Sequence, residues 1–121
     1  LCSSARRTRD TLALVLPELK AEPKVVYEDA LYHPTPETML ETLRAIGRGT
    51  TRVLLVGHNP EIQAFALDLV GSGPKHLRDR LAEKFPTAGL AVITFASGLW
   101  SGITVNSGEL KLFLSPKDVR A

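Results

Sequence analysis

The sequence predicts an α/β fold with a mostly parallel sheet and an antiparallel margin. Residues 53–56 read Val-Leu-Leu-Val, an apolar run without polar alternation, which predicts a strand buried on both faces as in a parallel sheet. Helical patterns precede and follow this run, and strands that alternate with helices are typical of parallel sheets. Near the end of the chain, two strand patterns have no helix between them, which favours an antiparallel pair.

The first residues of the chain read as the end of a strand that runs straight into a helix. Ser3 or Ser4 can cap this helix, which we expect over residues 5–16. Its core-facing stripe consists of Leu12, Val15, Leu16 and Leu19. A short strand is predicted at residues 25–27.

A second helix has clear start signals. Thr35 caps it, Pro36 opens it, and it reaches about Ile46. The buried strand then spans residues 52–57.

The third helix follows that strand, with Asn59 as its N-cap and Pro60 at its first position, and it reaches about Val70 before Gly71 and Gly73 close it. The remaining predicted elements are a short helix at residues 75–84, strands at 90–95 and 109–114, and a turn at 106–108.

Composition narrows the class of protein. The 121 residues predict one domain, are 44% hydrophobic and 23% charged, and carry a formal net charge of +2. The basic residues are interleaved with acidic ones, so no nucleic-acid footprint is expected. Cys2 is the one cysteine, which fits a reducing compartment and a cytoplasmic location. The longest apolar run, residues 88–96, is too short to cross a membrane.

His58 is the leading candidate for chemistry. It follows the predicted buried strand and precedes a helix, and ligands bind at the carboxyl edge of parallel strands, where helix N-termini favour anions. An imidazole there suggests phosphate chemistry, although a histidine can also simply cap the helix and fill a polar niche. His33 and His76 are expected to be solvated. No pair of histidines has the spacing of metal ligands, so no metal site and no cofactor are expected.

Arginines and carboxylates supply the other candidates. Arg6, Arg7 and Arg9 lie in the first turns of the first helix, where the helix dipole disfavours cations unless an anion is bound. The alternative is a solvated basic face in which Arg6 pairs with Asp10.

Glu28, and less so Asp29, could protonate a leaving group, or could merely be solvated at the strand exit. The dipole of the third helix alone accounts for Glu61, and Phe85 and Trp100 are expected to pack in the core.

Together these segments resemble the SixA-type phosphohistidine phosphatases of the histidine phosphatase, or phosphoglycerate-mutase-like, superfamily. The match runs nearly end to end, and its most specific parts are the Val-Gly-His-Asn-Pro stretch and the Lys-Phe-Pro-Thr stretch. The matching stretches are residues 3–11, 30–32, 54–60 and 84–88, with a weaker one at 108–118.

The resemblance implies a three-layer α/β/α sandwich and a metal-independent phosphatase that acts through a phosphohistidine intermediate. It implies that His58 is the second catalytic histidine, that Arg7 clamps the substrate phosphate, and that Asn59 supports this loop and belongs to the phosphate-binding set. The substrate would be a phosphorylated protein or a small phosphorylated molecule.

The family motif Arg-His-Gly or Arg-His-Ala, which contains the nucleophile, has no counterpart in this sequence. We therefore expect that a first βα unit is missing and that these residues alone are inactive. The alternatives are a non-catalytic phospho-ligand or protein-binding module that lacks the nucleophile, and, ranked lower, a mutase or small-molecule phosphatase on the same fold.

Overall fold

The computed structural model describes residues 1–15, 17, 25–28, 31, 35–86 and 88–119. These residues form a mixed α/β fold with two small sheets and five helices. The elements in chain order are β1 (Cys2–Ser3), α1 (Arg6–Val15), β2 (Tyr27–Glu28), α2 (Pro36–Arg44), α3 (Glu61–Leu69), β3 (Val70–Ser72), α4 (Lys75–Glu83), β4 (Leu90–Phe95), a 3₁₀ turn (Trp100–Gly102), β5 (Gly108–Leu114) and α5 (Pro116–Val119).

The first sheet is parallel and starts at the beginning of the chain. Strand β1 pairs with β2 in a register that sets Cys2 beside Tyr27 and Ser3 beside Glu28. On its other side, β1 makes a single parallel bridge from Cys2 to Val56. Three parallel segments therefore lie side by side, with β1 in the middle.

The second sheet has the order β3-β5-β4. Strand β5 pairs parallel to β3 and antiparallel to β4. The predicted strands at 90–95 and 109–114 are thus confirmed to within one residue, and so is the antiparallel pair at the margin. The turn before β5 is also confirmed, since Asn106 has a φ of 59°.

Two clusters of buried side chains form the core. The larger one lies between α2, α3 and the 3₁₀ region, and half-buried Val53, Leu55 and Ile93 pack against it. The smaller one joins α3, α4 and β5. The buried members are Leu31, Met39, Leu43, Phe65, Leu69 and Ile103 in the first cluster and Ala66, Leu81, Leu110 and Phe113 in the second.

The predicted cap is confirmed at the start of α2, whereas at α1 the serine hydroxyl bonds to a residue just before the helix. The hydroxyl of Thr35 accepts a hydrogen bond from the Thr38 backbone N–H at 3.2 Å, which confirms the predicted cap of α2. At α1, the buried Ser3 hydroxyl accepts from the Ala5 N–H at 3.3 Å. The third case is wrong, because Pro60 is the N-cap of α3 and no side chain caps that helix.

The prediction of a buried strand over residues 52–57 is also wrong. Apart from the bridge at Val56, this segment forms no strand in the described part of the chain, and Leu54 is 41% exposed. The physical reason is that Val53 and Leu55 pack against the larger core cluster, whereas the face that carries Leu54 stays partly open among the described residues.

Two smaller differences concern short strands. The first strand, predicted at residues 25–27, overlaps the observed β2 (Tyr27–Glu28) only at Tyr27. The end of the third helix was predicted at Val70, but the chain enters β3 at that residue. Helix α4 is confirmed over nearly its whole predicted length.

Some predictions fall outside the described residues, namely those on Leu16, Leu19, Asp29, His33 and Thr87. Among the described residues, no helix is both long and apolar enough to cross a membrane.

Candidate functional site

Three parallel segments end at the same edge of the first sheet, and each leads to a residue predicted for the site. Ser3 is in register with Glu28, and its backbone N–H donates to the Val56 carbonyl at 2.9 Å. The chain leaves β1 toward α1 and Arg7, leaves β2 at Glu28, and leaves the third segment toward His58. The ends of these three segments lie side by side, so the chain leaves the sheet toward Arg7, Glu28 and His58 at the same end.

His58 is held where this third segment meets α3. Its carbonyl accepts a hydrogen bond from the Ile62 N–H at 3.0 Å, and its side chain is only 12% exposed. The ring Nδ1 lies 3.7 Å from Glu61 Oε2, which is longer than a hydrogen bond. Glu61 therefore faces His58, in addition to lying in the first turn of its helix.

A buried hydrogen-bond network fixes the start of α1 against β1. Thr8 is 3% exposed, and its hydroxyl lies 2.8 Å from the carbonyl oxygens of both Ser3 and Ala5. Ser3 itself is fully buried. The helix that carries Arg7 in its first turn therefore starts from a fixed position at the sheet edge.

The three arginines of α1 differ in their surroundings. The Arg6 Nε lies 3.9 Å from the Asp10 Oδ2, and both side chains are largely exposed. This confirms the predicted surface pair. The guanidinium of Arg9 stacks over the Tyr27 ring at 4.7 Å. The side chain of Arg7 lies outside the described residues, so its predicted contact with phosphate stays a prediction.

Asn59 connects the His58 loop to a distant segment. Its Nδ2 donates to the Phe85 carbonyl oxygen at 2.6 Å. Phe85 belongs to the Lys-Phe-Pro-Thr stretch, so this bond joins two stretches that the sequence analysis singled out separately. The predicted contact of Asn59 with phosphate stays a prediction.

Glu28 is half-buried at the end of β2, and its carbonyl accepts from the Ser4 N–H at 3.2 Å. It thus lies beside the chain that enters α1, and its role as an acid stays a prediction.

The remaining candidates behave as structural or surface residues. Trp100 packs edge-on to Phe95 with ring centroids 6.3 Å apart, and its indole N–H donates to the Thr50 carbonyl at 2.6 Å, which confirms its predicted packing role. His76 is exposed on α4. Burial raises the pKa of the Cys2 thiol, as expected for an unreactive core cysteine.

Two shallow apolar grooves lie near the N-terminus of α2. One of them runs between α2 and the start of α3 and borders the residues that follow His58. It is lined by Pro36, Met39, Pro60, Glu61 and Ala64. In the part of the chain that the structure describes, no three potential metal-ligating side chains lie together.

Comparison with known proteins identifies close relatives. No family model matches the chain. The uncharacterized protein ML1117 of Mycobacterium leprae is 39% identical over 118 residues, which are 97% of this chain and 70% of that protein. The uncharacterized protein Rv1276c of Mycobacterium tuberculosis is 34% identical over 119 residues, again 97% of this chain and 72% of the relative.

A solved structure, described as "Putative Phosphohistidine Phosphatase SixA from Nakamurella multipartitia", superposes with a TM-score of 0.79 at 31% identity. The match covers 95% of this chain and 68% of that one. The chain belongs to the same family as this SixA protein. The SixA-like match therefore extends over nearly all of the sequence, as the resemblance indicated.

Two structural contacts near the candidate site were missed from the sequence. Thr8 lies in the matching stretch of residues 3–11, and its hydroxyl ties α1 to the Ser3 carbonyl. Gln63 lies in α3, and its Nε2 donates to the carbonyls of Leu81 and Ala82 at 2.9 and 3.3 Å. A second amide four residues after Asn59 is the signal in the sequence that could have indicated such a contact.

Proposed function

We propose that the protein is a phosphatase of the SixA kind, which acts through a phosphohistidine intermediate on phosphohistidine in a protein or on a small phosphomonoester. The observation that carries the proposal is the likeness to the SixA structure over 95% of this chain at 31% identity. The convergence of the segments that lead to Arg7, Glu28 and His58 at one sheet edge supports it independently.

The residues of this chain take the following roles in the proposal. His58 and Arg7 hold the equatorial oxygens of the phosphoryl group, since cationic groups there stabilise the charge of the transition state without a metal ion. The half-buried position of His58 beside the N-terminus of α3 suits this role, because a helix N-terminus also favours an anion. Glu28 is the candidate acid that protonates the leaving group.

The nucleophile is proposed to lie outside these 121 residues. The chain spans 68–72% of the length of the SixA structure and the mycobacterial relatives, so those proteins have room for a further βα unit. Such a unit would add a strand and a helix and complete the proposed three-layer sandwich. In the reaction, its histidine would form a bond to phosphorus as the leaving group departs with a proton, and water would then cleave the nitrogen–phosphorus bond to release phosphate.

The test is hydrolysis by the full-length protein of a phosphohistidine-containing protein and of p-nitrophenyl phosphate. We expect His58→Ala to lower kcat/KM by about 10²–10³-fold, the usual loss when one stabilising group of this kind is removed. The matched control is His76→Ala, which removes an exposed histidine from α4 and should leave the rate unchanged.

Two outcomes would contradict the proposal. Equal activity of wild type and His58→Ala would remove His58 from the mechanism. Tight binding of vanadate or phosphohistidine without any turnover by the wild type would favour the non-catalytic binding module.

A further inference from the structure

The short hydrogen bond from Asn59 to Phe85 has a specific location in the fold. Asn59 follows His58 directly, and the Phe85 carbonyl follows the end of α4, 26 residues away. Since Pro60 is the N-cap of α3 and no side chain caps it, the amide of Asn59 does not serve the helix that it precedes. Its donor is directed to another part of the chain.

The acceptor end of this bond is anchored in the core. The Phe85 ring packs edge-on to Phe113 of β5 with ring centroids 5.6 Å apart. The chain then makes a tight turn in which the Gly89 N–H donates to the Pro86 carbonyl at 2.9 Å and Ala88 has a φ of 60°. The carbonyl that Asn59 contacts therefore lies between a ring that packs on β5 and the Pro86–Gly89 hydrogen bond.

A second amide repeats the contact one helical turn later. Gln63 donates to the carbonyls of Leu81 and Ala82, which lie in the last turn of α4 and lack partners within that helix. The two amides thus connect the start of α3 to the end of α4. Of the two, only Asn59 is adjacent to His58, so it is the one that can set the position of this residue.

We propose that Asn59 is a positioning residue, which holds the His58 loop against the turn after α4 through the Phe85 carbonyl and does not itself bind phosphate. This inference rests on the proposed function, because the position of His58 matters for catalysis only if His58 binds phosphate. The hydrogen bond from Asn59 to Phe85 does not depend on that function. Asn59 is exposed, so its bond contributes only about 0.5–1.5 kcal/mol to folding. Its removal should leave the protein folded and displace His58.

The experiment compares Asn59→Ala with Gln63→Ala in the full-length protein. We expect Asn59→Ala to lower kcat by roughly 10- to 100-fold, the loss typical of a small misplacement of a reacting group, and to weaken inhibition by vanadate as well, because His58 is proposed to hold the same oxygens. The NMR chemical shifts of the His58 ring should change, and amide exchange at residues 88–91 should accelerate. Gln63→Ala should accelerate exchange at the end of α4 and leave kcat and the His58 chemical shifts unchanged.

Asn59→Asp supplies a further check. It keeps the shape of the side chain but presents a carboxylate, which cannot donate to a carbonyl, so it should behave like Asn59→Ala in both NMR and exchange. If Asn59→Ala weakens inhibition by vanadate tenfold while amide exchange and the His58 chemical shifts stay unchanged, Asn59 is a phosphate ligand and the proposal is overturned. Unchanged His58 chemical shifts in Asn59→Ala would by themselves also overturn it. If the wild type hydrolyses no substrate, the proposed function fails, while the NMR and exchange results still decide the role of Asn59.

Discussion

Replacing Thr8 with valine removes one hydroxyl at the buried start of α1 and leaves the shape of the side chain nearly unchanged. The hydroxyl lies 2.8 Å from the carbonyl oxygens of Ser3 and Ala5. Because a threonine hydroxyl carries one hydrogen, the two carbonyls share a single donor. The cost of the substitution therefore depends on which partner each carbonyl retains.

The two carbonyls are not equivalent. That of Ala5 still accepts from the Arg9 N–H at 3.1 Å. Among the described residues, that of Ser3 retains the Cys2 thiol at 3.3 Å, and a thiol is a weak donor. We expect Thr8→Val to lower the free energy of unfolding by about 1–3 kcal/mol, the cost of leaving one buried carbonyl poorly satisfied.

Urea denaturation measures this cost as a lower midpoint with an unchanged slope. The matched control is Thr42→Val in α2, where the lost hydroxyl donates to the Thr38 carbonyl at 2.8 Å. That carbonyl lies inside a helix and also receives the N–H four residues on, so the control should cost about 0.5 kcal/mol or less. If both variants lose the same stability, the Ser3 carbonyl has another good partner and the reasoning is wrong.

Two further predictions concern α5 and the second sheet. Hydrogen bonds from the Arg80 side chain and the Ser115 N–H hold the pKa of Asp118 at about 2, below 3.8. The ionised form therefore stabilises the fold above about pH 4, and this contribution is lost as the pH falls toward 2. In Arg80→Gln, the midpoint of the Asp118 titration measured by NMR should move up toward 3.8. An unmoved midpoint would contradict the assignment. In β5, Leu110 is fully buried and Leu112 is 39% exposed, so alanine should cost about 2–5 kcal/mol at the first and about 1 kcal/mol or less at the second. Equal losses in denaturant melts would show that Leu110 does not pack as described.

Elements with a strong local signal were predictable from the sequence. Thr35 and Pro36 define the start of α2 by backbone geometry and a side-chain acceptor only three residues away. Strands β4 and β5 each carry a long apolar pattern, and a turn with a left-handed residue, Asn106, precedes β5. In these cases the neighbours in sequence supply the energy that determines the structure.

Features that depend on neighbours in space were not predictable in the same way. The apolar composition of residues 53–56 indicates that something can cover them, but it does not say what. Val53 and Leu55 contact the larger core cluster, whereas Leu54 stays exposed among the described residues. Strand β3 has three residues, of which Val70 and Ser72 pair with β5, and so short a strand has no pattern of its own.

The same distinction, between neighbours in sequence and neighbours in space, applies to the candidate site. The position of His58 at a parallel sheet edge followed from the residues around it, and the structure places its segment beside β1. The partner of Asn59 could not be predicted, because the Phe85 carbonyl is a backbone group 26 residues away. Asn59 is a good N-cap residue, so the sequence favours a cap on the adjacent helix α3. In the structure no side chain caps that helix, and the Asn59 Nδ2 donates to the Phe85 carbonyl.

Ser3 explains why the candidate residues share one location although they lie far apart in sequence. Its N–H binds the Val56 carbonyl in the segment that leads to His58, and its carbonyl accepts from Thr8 in the helix that carries Arg7. It is also in register with Glu28. Because Ser3 is fully buried, none of these bonds is readily exchanged for water, so a change at Ser3 or Thr8 should displace the candidate groups relative to one another. The stability measured for Thr8→Val is therefore also a measure of how firmly the start of α1 is held beside the His58 segment.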